Sequence, residues 1–236
     1  MSQANNMISV ASPAYAQAGA FTGYVPTAPS LVNDRYSREA NRLLKRAFDI
    51  AFSMAVMVLV FSWLYPIIAL LIKLDSKGPV LFKQYRHGLN NKQFYCYKFR
   101  TMVVNQEADS KQATKNDSRI TKVGAFLRKT SLDEIPQFFN VILGDMSVVG
   151  PRPHPIPLNM RFAHSIEGFM NRHSMKPGVT GLAQIRGYRG ETAKFHDMKG
   201  RFMLDRFYIA NWSLWLDIKI VFGTVWSLVK GDENAY

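Results

Sequence analysis

The sequence predicts an α-dominated α+β domain joined to a helix that sits in a membrane and bends at a proline. Three observations predict it. An uncharged apolar run of 23 residues extends from Ile50 to Ile72, with Pro66 inside it. Two β-rich runs, Val80 to Arg86 and Gln93 to Arg100, flank a turn containing Gly88 and Asn90-Asn91, which is the pattern of a hairpin. Downstream, the apolar spacing is mostly helical and ends in a Trp-rich stretch. A chain of 236 residues that is 47% hydrophobic and 20% charged can bury a core and is too apolar to be disordered throughout.

The elements follow in order. Residues 1–34 carry one charge, Asp34, and are rich in Ala, Ser, Pro, Gly, Asn and Gln, so they read as a disordered polar tail. They lack the basic start and compact apolar stretch of a signal peptide. Residues 35–77 form a basic flank and the apolar run. A continuous helix over that run would be about 35 Å long, enough to cross a hydrocarbon core of about 30 Å. Pro66 removes the donor that the Ser62 carbonyl would use and predicts a kink. Arg38, Arg42, Lys45 and Arg46 precede the run; Lys73, Lys77, Lys83 and Arg86 follow it. Basic flanks prefer the cytoplasmic side. The residues alone leave two readings open: a re-entrant helix that leaves by the face it entered, and a single crossing with a tolerated proline.

Residues 78–236 read as one α-dominated α+β domain. After the hairpin come a polar stretch from Gln106 to Arg119 and a short amphipathic helix from Val123 to Lys129. A second helix is predicted from Ser131 to Leu143, then an extended or turned segment from Val149 to Pro157. A helix follows from Asn159 to His173, a short strand from Leu182 to Ile185 and a helix from Thr192 to Ala210. Trp212 to Val229 is apolar except for Asp217 and Lys219, and Trp212 and Trp215 would share a face, as on an interfacial amphipathic helix. A core helix is the alternative.

With 30 Lys and Arg against 17 Asp and Glu, the chain has a formal charge of +13 and suits an anionic partner. One cysteine, Cys96, excludes an internal disulfide or a Cys-rich zinc site, and the five histidines show no zinc spacing. No nucleic-acid fold signature is present, so a nucleic-acid partner is not expected. The segment Arg128-Lys129-Thr130-Ser131-Leu132-Asp133-Glu134 puts two carboxylates after two cations. A carboxylate can attack phosphorus, an adjacent pair can hold Mg²⁺, and Arg128 can neutralise phosphoryl charge. The same residues also fit a helix cap, Ser131-x-x-Glu134. Prolines around Arg152 in Gly150-Pro151-Arg152-Pro153 fix a guanidinium for phosphate or simply make a rigid turn. Tyr97-Lys98-Phe99-Arg100-Thr101 binds phosphate or headgroups, or is strand alternation. Lys176-Pro177-Gly178-Val179-Thr180-Gly181 lacks phosphate-loop spacing.

From Lys45 to the C-terminus the chain resembles the bacterial polyprenyl-phosphate sugar-1-phosphate transferases, the monotopic phosphoglycosyl transferases. The words that carry the resemblance are Lys45-Arg46-x-x-Asp49, Gly78-Pro79-Val80-Leu81-Phe82-Lys83-Gln84, Tyr97 to Met102, Lys129 to Glu134 with Pro136-Gln137, Gly150 to Pro153, Lys176 to Gly181 and Asn211 to Asp217. The resemblance implies transfer of a sugar-1-phosphate from a UDP-sugar to undecaprenyl phosphate with Mg²⁺, at the cytoplasmic face of the bacterial inner membrane. It implies that Asp133 is the nucleophile with Glu134 beside it, both of them metal ligands, and that Arg128 and Arg152 contact phosphate or nucleotide. It also implies a re-entrant helix broken at Pro66, although Tyr65 stands where the family often has Ser. Arg189 to Thr192 and Asn234-Ala235-Tyr236 are most similar to glucose-type members, which points to UDP-glucose, then UDP-galactose. Membrane lipids are an expected partner, and self-association stays open.

Overall fold

The computed structural model describes residues 32, 34–104, 114, 117–188 and 195–230. The tail expected over residues 1–34 lies outside them apart from Val32 and Asp34. So do most of Gln106 to Arg119 and the words Arg189 to Thr192 and Asn234 to Tyr236.

A short helix, α1 (Asp34–Ser37), leads into α2 (Glu39–Val56), a π-helical turn at Met57–Phe61 and α3 (Ser62–Asp75). Glu39 to Asp75 is one 37-residue helix, the one among the described residues long and apolar enough to cross a membrane. The helix is not interrupted at Pro66, which lies inside α3. The irregularity sits one turn earlier. The Ser62 N–H reaches back five residues to the Met57 carbonyl, and the Ser62 hydroxyl donates to the Val58 carbonyl at 2.6 Å.

One side of this helix is a buried stripe: Lys45, Asp49, Ser53, Phe61, Ile68 and Ile72. The other exposes Leu44, Val58, Leu59, Trp63, Ile67 and Leu70. The buried side packs against the elements that follow it in the chain. Phe52 meets Phe138, and Phe61 stacks on Phe99 and meets Phe139 edge-on at 5.1 Å.

The hairpin forms as the sequence predicts, with β1 (Leu81–His87) antiparallel to β2 (Gln93–Phe99). Asn90 and Asn91 take the left-handed conformation its turn requires, at φ 53° and 62°. Then come α4 (Lys122–Thr130), a 3₁₀ turn at Leu132–Glu134 and α5 (Gln137–Leu143). The single helix expected from Ser131 to Leu143 is thus two elements, with Pro136 as the N-cap of α5, and Ser131, left-handed at φ 58°, separates both from α4. A parallel pair follows, β3 (Ser147–Val149) with β4 (Gly178–Thr180). Between them lie α6 (Ile156–Ala163) and a 3₁₀ turn at Phe169–Ser174. The helix expected from Asn159 to His173 therefore stops early, and Gly168 reverses the chain at φ 69°. The strand expected at Leu182 to Ile185 is a helical turn, α7 (Leu182–Ile185); the strand is one segment earlier, in β4.

The chain closes with α8 (Phe195–Ala210) and α9 (Leu214–Lys230). Trp212 does not share a face of α9 with Trp215. It precedes the helix, is 2% exposed and donates its indole N–H to Asp217, whereas Trp215, Phe222 and Trp226 are exposed. The main core joins Val141, Met146, Tyr208, Trp212 and Ile220; a second joins Phe162, Phe169 and Phe202.

Candidate active site

Three elements bring the charged residues together. The left-handed Ser131 ends α4 and swings Leu132–Glu134 into a separate turn, which places Asp133 and Glu134 inside the fold at 8% and 9% exposure. The capping-box alternative fails, since Ser131 makes no side-chain cap and the Glu134 carboxylate points elsewhere. In β2, Lys98 falls on the same face as buried Phe94 and Cys96 and so faces inward. Arg152 follows β3, where Gly150 and Gly178 let two backbones touch; a Cβ on Gly178 would lie 2.1 Å from the Gly150 nitrogen. The Lys176 to Gly181 word thus serves close strand packing.

Glu134 is locked. Arg152 grips it with both terminal nitrogens, Nη1 on Oε2 at 2.9 Å and Nη2 on Oε1. Lys98 Nζ also donates to Oε1, at 2.6 Å. Burial alone would raise its pKa, but Arg152 and Lys98 outweigh that and hold it well below the usual carboxylate range. Asp133 is treated differently. Lys98 Nζ stays 3.9 Å from its Oδ2. Burial raises its pKa; Lys98 opposes this and the Glu134 charge adds to it. Two neighbouring carboxylates are thereby driven apart: one is fixed as an ion-pair partner, the other is the more basic oxygen.

Arg128 is anchored by Nε to the Thr101 hydroxyl at 2.8 Å and is close enough to favour an ionised Asp133. Its approach depends on Gly124, where a Cβ would fall 2.0 Å from the Thr101 carbonyl. Arg100, the other cation of the same word, turns away. It donates to the carbonyls of Ser76, Lys77 and Pro79 and secures the chain leaving α3. So the structure gathers all four predicted polar site residues, Asp133, Glu134, Arg128 and Arg152. It adds Lys98, which the sequence placed in a word that either binds phosphate or headgroups or is strand alternation, and Arg86, which sequence reasoning took only as part of the basic flank. Arg86, across β1 on the same hairpin face, donates to the Pro153 carbonyl. The signal available for both was a cation on the apolar side of a strand alternation. Pro66 belongs to the helix and not to this cluster.

The donor set fits Mg²⁺. Both residues offer hard carboxylate oxygens, and one or two such groups with substrate phosphate complete a Mg²⁺ shell. A carboxylate has about four lone-pair sites. Arg152 and Lys98 take three of those on Glu134, which leaves one on Oε2.

The chain matches the bacterial sugar transferase family over residues 40–231. It belongs to that family. It is 52% identical over 199 residues to a UDP-glucose:undecaprenyl-phosphate glucose-1-phosphate transferase of Klebsiella pneumoniae, covering 83% of this chain and 42% of that protein. The Escherichia coli (strain K12) protein of the same name is 52% identical over 195 residues, covering 82% and 41%. An exopolysaccharide production protein, PSS, of Rhizobium leguminosarum bv. phaseoli is 47% identical over 195 residues, covering 80% of this chain and 97% of that protein. The chain therefore spans about two fifths of the first two relatives and aligns along nearly all of the third.

Proposed function

We infer that this family member moves a sugar-1-phosphate, glucose-1-phosphate in the first instance, from a UDP-sugar to undecaprenyl phosphate. The observation that carries the reading is the split between Asp133 and Glu134. An Asp133 oxygen attacks the sugar-bearing phosphorus of the donor, the P–O bond to UMP breaks and UMP leaves. An oxygen of the lipid phosphate then attacks the same phosphorus and releases the Asp133 carboxylate. The acceptor is already anionic, so the principal barrier is the approach of anions. Arg152, Lys98 and Arg128 lower it by fixed positive charge, and Glu134 keeps Arg152 and Lys98 oriented. Asp133 and Glu134 would hold Mg²⁺, which supplies further neutralisation of the diphosphate when bound. The product would feed exopolysaccharide or capsule assembly.

An acceptor with a long apolar tail stays in the bilayer, so the site must sit at the headgroup plane. A re-entrant placement of Glu39–Asp75 with the domain on the cytoplasmic side meets that need. It is supported by the basic residues at both ends of the helix and by its contacts with the domain. The test is incubation with Mg²⁺ and a panel of UDP-sugars, first without and then with undecaprenyl phosphate. The expected result is a phosphosugar mass adduct on Asp133 before the acceptor is added and UMP release favouring UDP-glucose over UDP-galactose. Turnover with no adduct in a quenched, acceptor-free sample would overturn the covalent step.

A further inference from the structure

The loop carrying Arg152 is held by cations that the transfer steps do not use. β3 ends at Val149, whose carbonyl accepts from Lys45 Nζ at 3.1 Å. The carbonyl of Arg152 itself accepts from Arg172 Nη2 at 2.7 Å. The Pro153 carbonyl accepts from Arg86 Nη1. Between them the Pro151 carbonyl takes the Gly178 N–H at 3.0 Å.

Two of these cations, Lys45 and Arg172, are 3% and 1% exposed, and each has an aspartate from a C-terminal helix. Asp217 of α9 pairs with Lys45 at 2.8 Å. Asp205 of α8 takes Nη2 and Nε of Arg172 at 2.6 and 3.1 Å. A buried ion pair is a costly way to satisfy one carbonyl, which a neutral amide would satisfy as well. What the guanidinium adds is a rigid fork. Its three nitrogens reach three groups: the Arg152 carbonyl, Asp205 and, through Nη1 at 2.7 Å, His154 Nδ1, while Arg201 Nη1 lies 3.2 Å from the other ring nitrogen, Nε2. Burial, with Arg172, Arg201, Arg86 and Arg152 around it, keeps His154 neutral and able to accept. One side chain thus fixes the main chain at 152 and the side chain at 154, with Pro151, Pro153 and Pro155 restricting the backbone between and around them.

We propose that Arg172, oriented by Asp205, is a positioning residue for Arg152: it sets where the Arg152 guanidinium stands, and through it where Glu134 stands, without touching substrate. The proposal rests on the transfer reading above.

The test uses the full chain in lipid or detergent, with UMP release as the readout. Arg172→Lys keeps the charge and loses the fork; Asp205→Asn keeps the shape and loses the orienting charge. Each is expected to lower kcat about tenfold or more, with donor KM changed less than about threefold. Arg172→Lys placed in an Arg152→Lys background is expected to change kcat less than about twofold, because its route runs through Arg152. Equal fold-losses in both backgrounds would overturn the proposal. So would unchanged kcat in both single variants, or loss of a cooperative thermal transition in both, which marks a purely structural pair. If the wild type releases no UMP, the transfer reading itself fails; an active wild type with an indifferent Arg172→Lys sinks only the positioning role.

Discussion

Asp133 and Glu134 are adjacent in the chain and opposite in circumstance, and the difference comes from what faces each of them. Glu134 meets a bidentate guanidinium and an ammonium. Asp133 meets mostly burial. A buried carboxylate held at a distance from its nearby ammonium costs stability, which suits a nucleophile and not a structural residue. Asp133→Asn is therefore expected to abolish the mass adduct and UMP release while its thermal midpoint stays at or above that of the wild type; a marked drop in midpoint would make Asp133 structural. The pH dependence has a definite sign. The nucleophile is the ionised form, and the Asp133 pKa is raised, so turnover falls on acidification while ordinary carboxylates are still charged. Glu134 is depressed, so its ion-pair contribution is present above the ordinary carboxylate value and is lost only as pH falls through its lowered one. Protonating Asp133 relieves a burial penalty and does not unfold the chain. Activity should therefore disappear at a higher pH than folded structure does, read by UMP release and circular dichroism on the same samples. Coincident losses would contradict this assignment.

At the scale of elements, the long helix is bolted to the domain by charge as well as by apolar contact. Lys45 donates to Asp217, to Tyr208 and to the Val149 carbonyl, and Asp49 accepts from the Val148 N–H and the Ser147 hydroxyl. α2, β3 and α9 are thereby joined inside the core. Lys45→Met leaves Asp217 buried with only the hydroxyl and indole donors of Tyr208 and Trp212. The expected cost is about 3 kcal/mol, partly recovered in Lys45→Met with Asp217→Asn, measured by denaturation in detergent. A loss equal in the single and double variants would mean the pair carries no coupling. These contacts also show what sequence can reveal. The hairpin was readable because its turn chemistry is local: Asn90 and Asn91 supply the left-handed residues themselves. Asp133, Glu134, Arg128 and Arg152 were named through resemblance and motif. The boundary after α4 was readable, but the use made of Ser131 was not, because a serine three residues before a glutamate looks the same whether it caps a helix or ends one. The choice is made by Lys98 and Arg152, 36 and 18 residues away from Glu134, which draw its carboxylate out of any capping position. The expectation that Trp212 shares a face with Trp215 failed because Trp212 precedes α9 and its indole is drawn into the core by Asp217.

At the scale of the molecule, the question is which side of a membrane each end of the helix occupies. At its N-terminal end, Arg46 donates to the carbonyls of Val141 and Ile142, and Lys45 reaches Asp217. At its C-terminal end, Asp75 accepts the Val123 N–H at 2.9 Å, and Arg100 holds the carbonyls of Ser76 and Lys77. A crossing helix has its two ends on opposite sides of about 30 Å of hydrocarbon, and it could not be tethered at both ends to one polar body. On the re-entrant placement proposed above, the exposed face formed by Val58, Leu59, Trp63 and Ile67 would enter the lipid from the side on which the domain stands. The native chain is well suited to the decisive measurement, since its single cysteine, Cys96, is 1% exposed and should stay silent to a membrane-impermeant thiol reagent. Arg38→Cys and Lys77→Cys place a reporter on the exposed flank at either end. In oriented membrane vesicles both are expected to label from the same side, the one that also gives UDP-sugar access to Asp133. Labelling of the two positions from opposite sides would show a true crossing, and the tethers at one end would then have to be broken in the membrane.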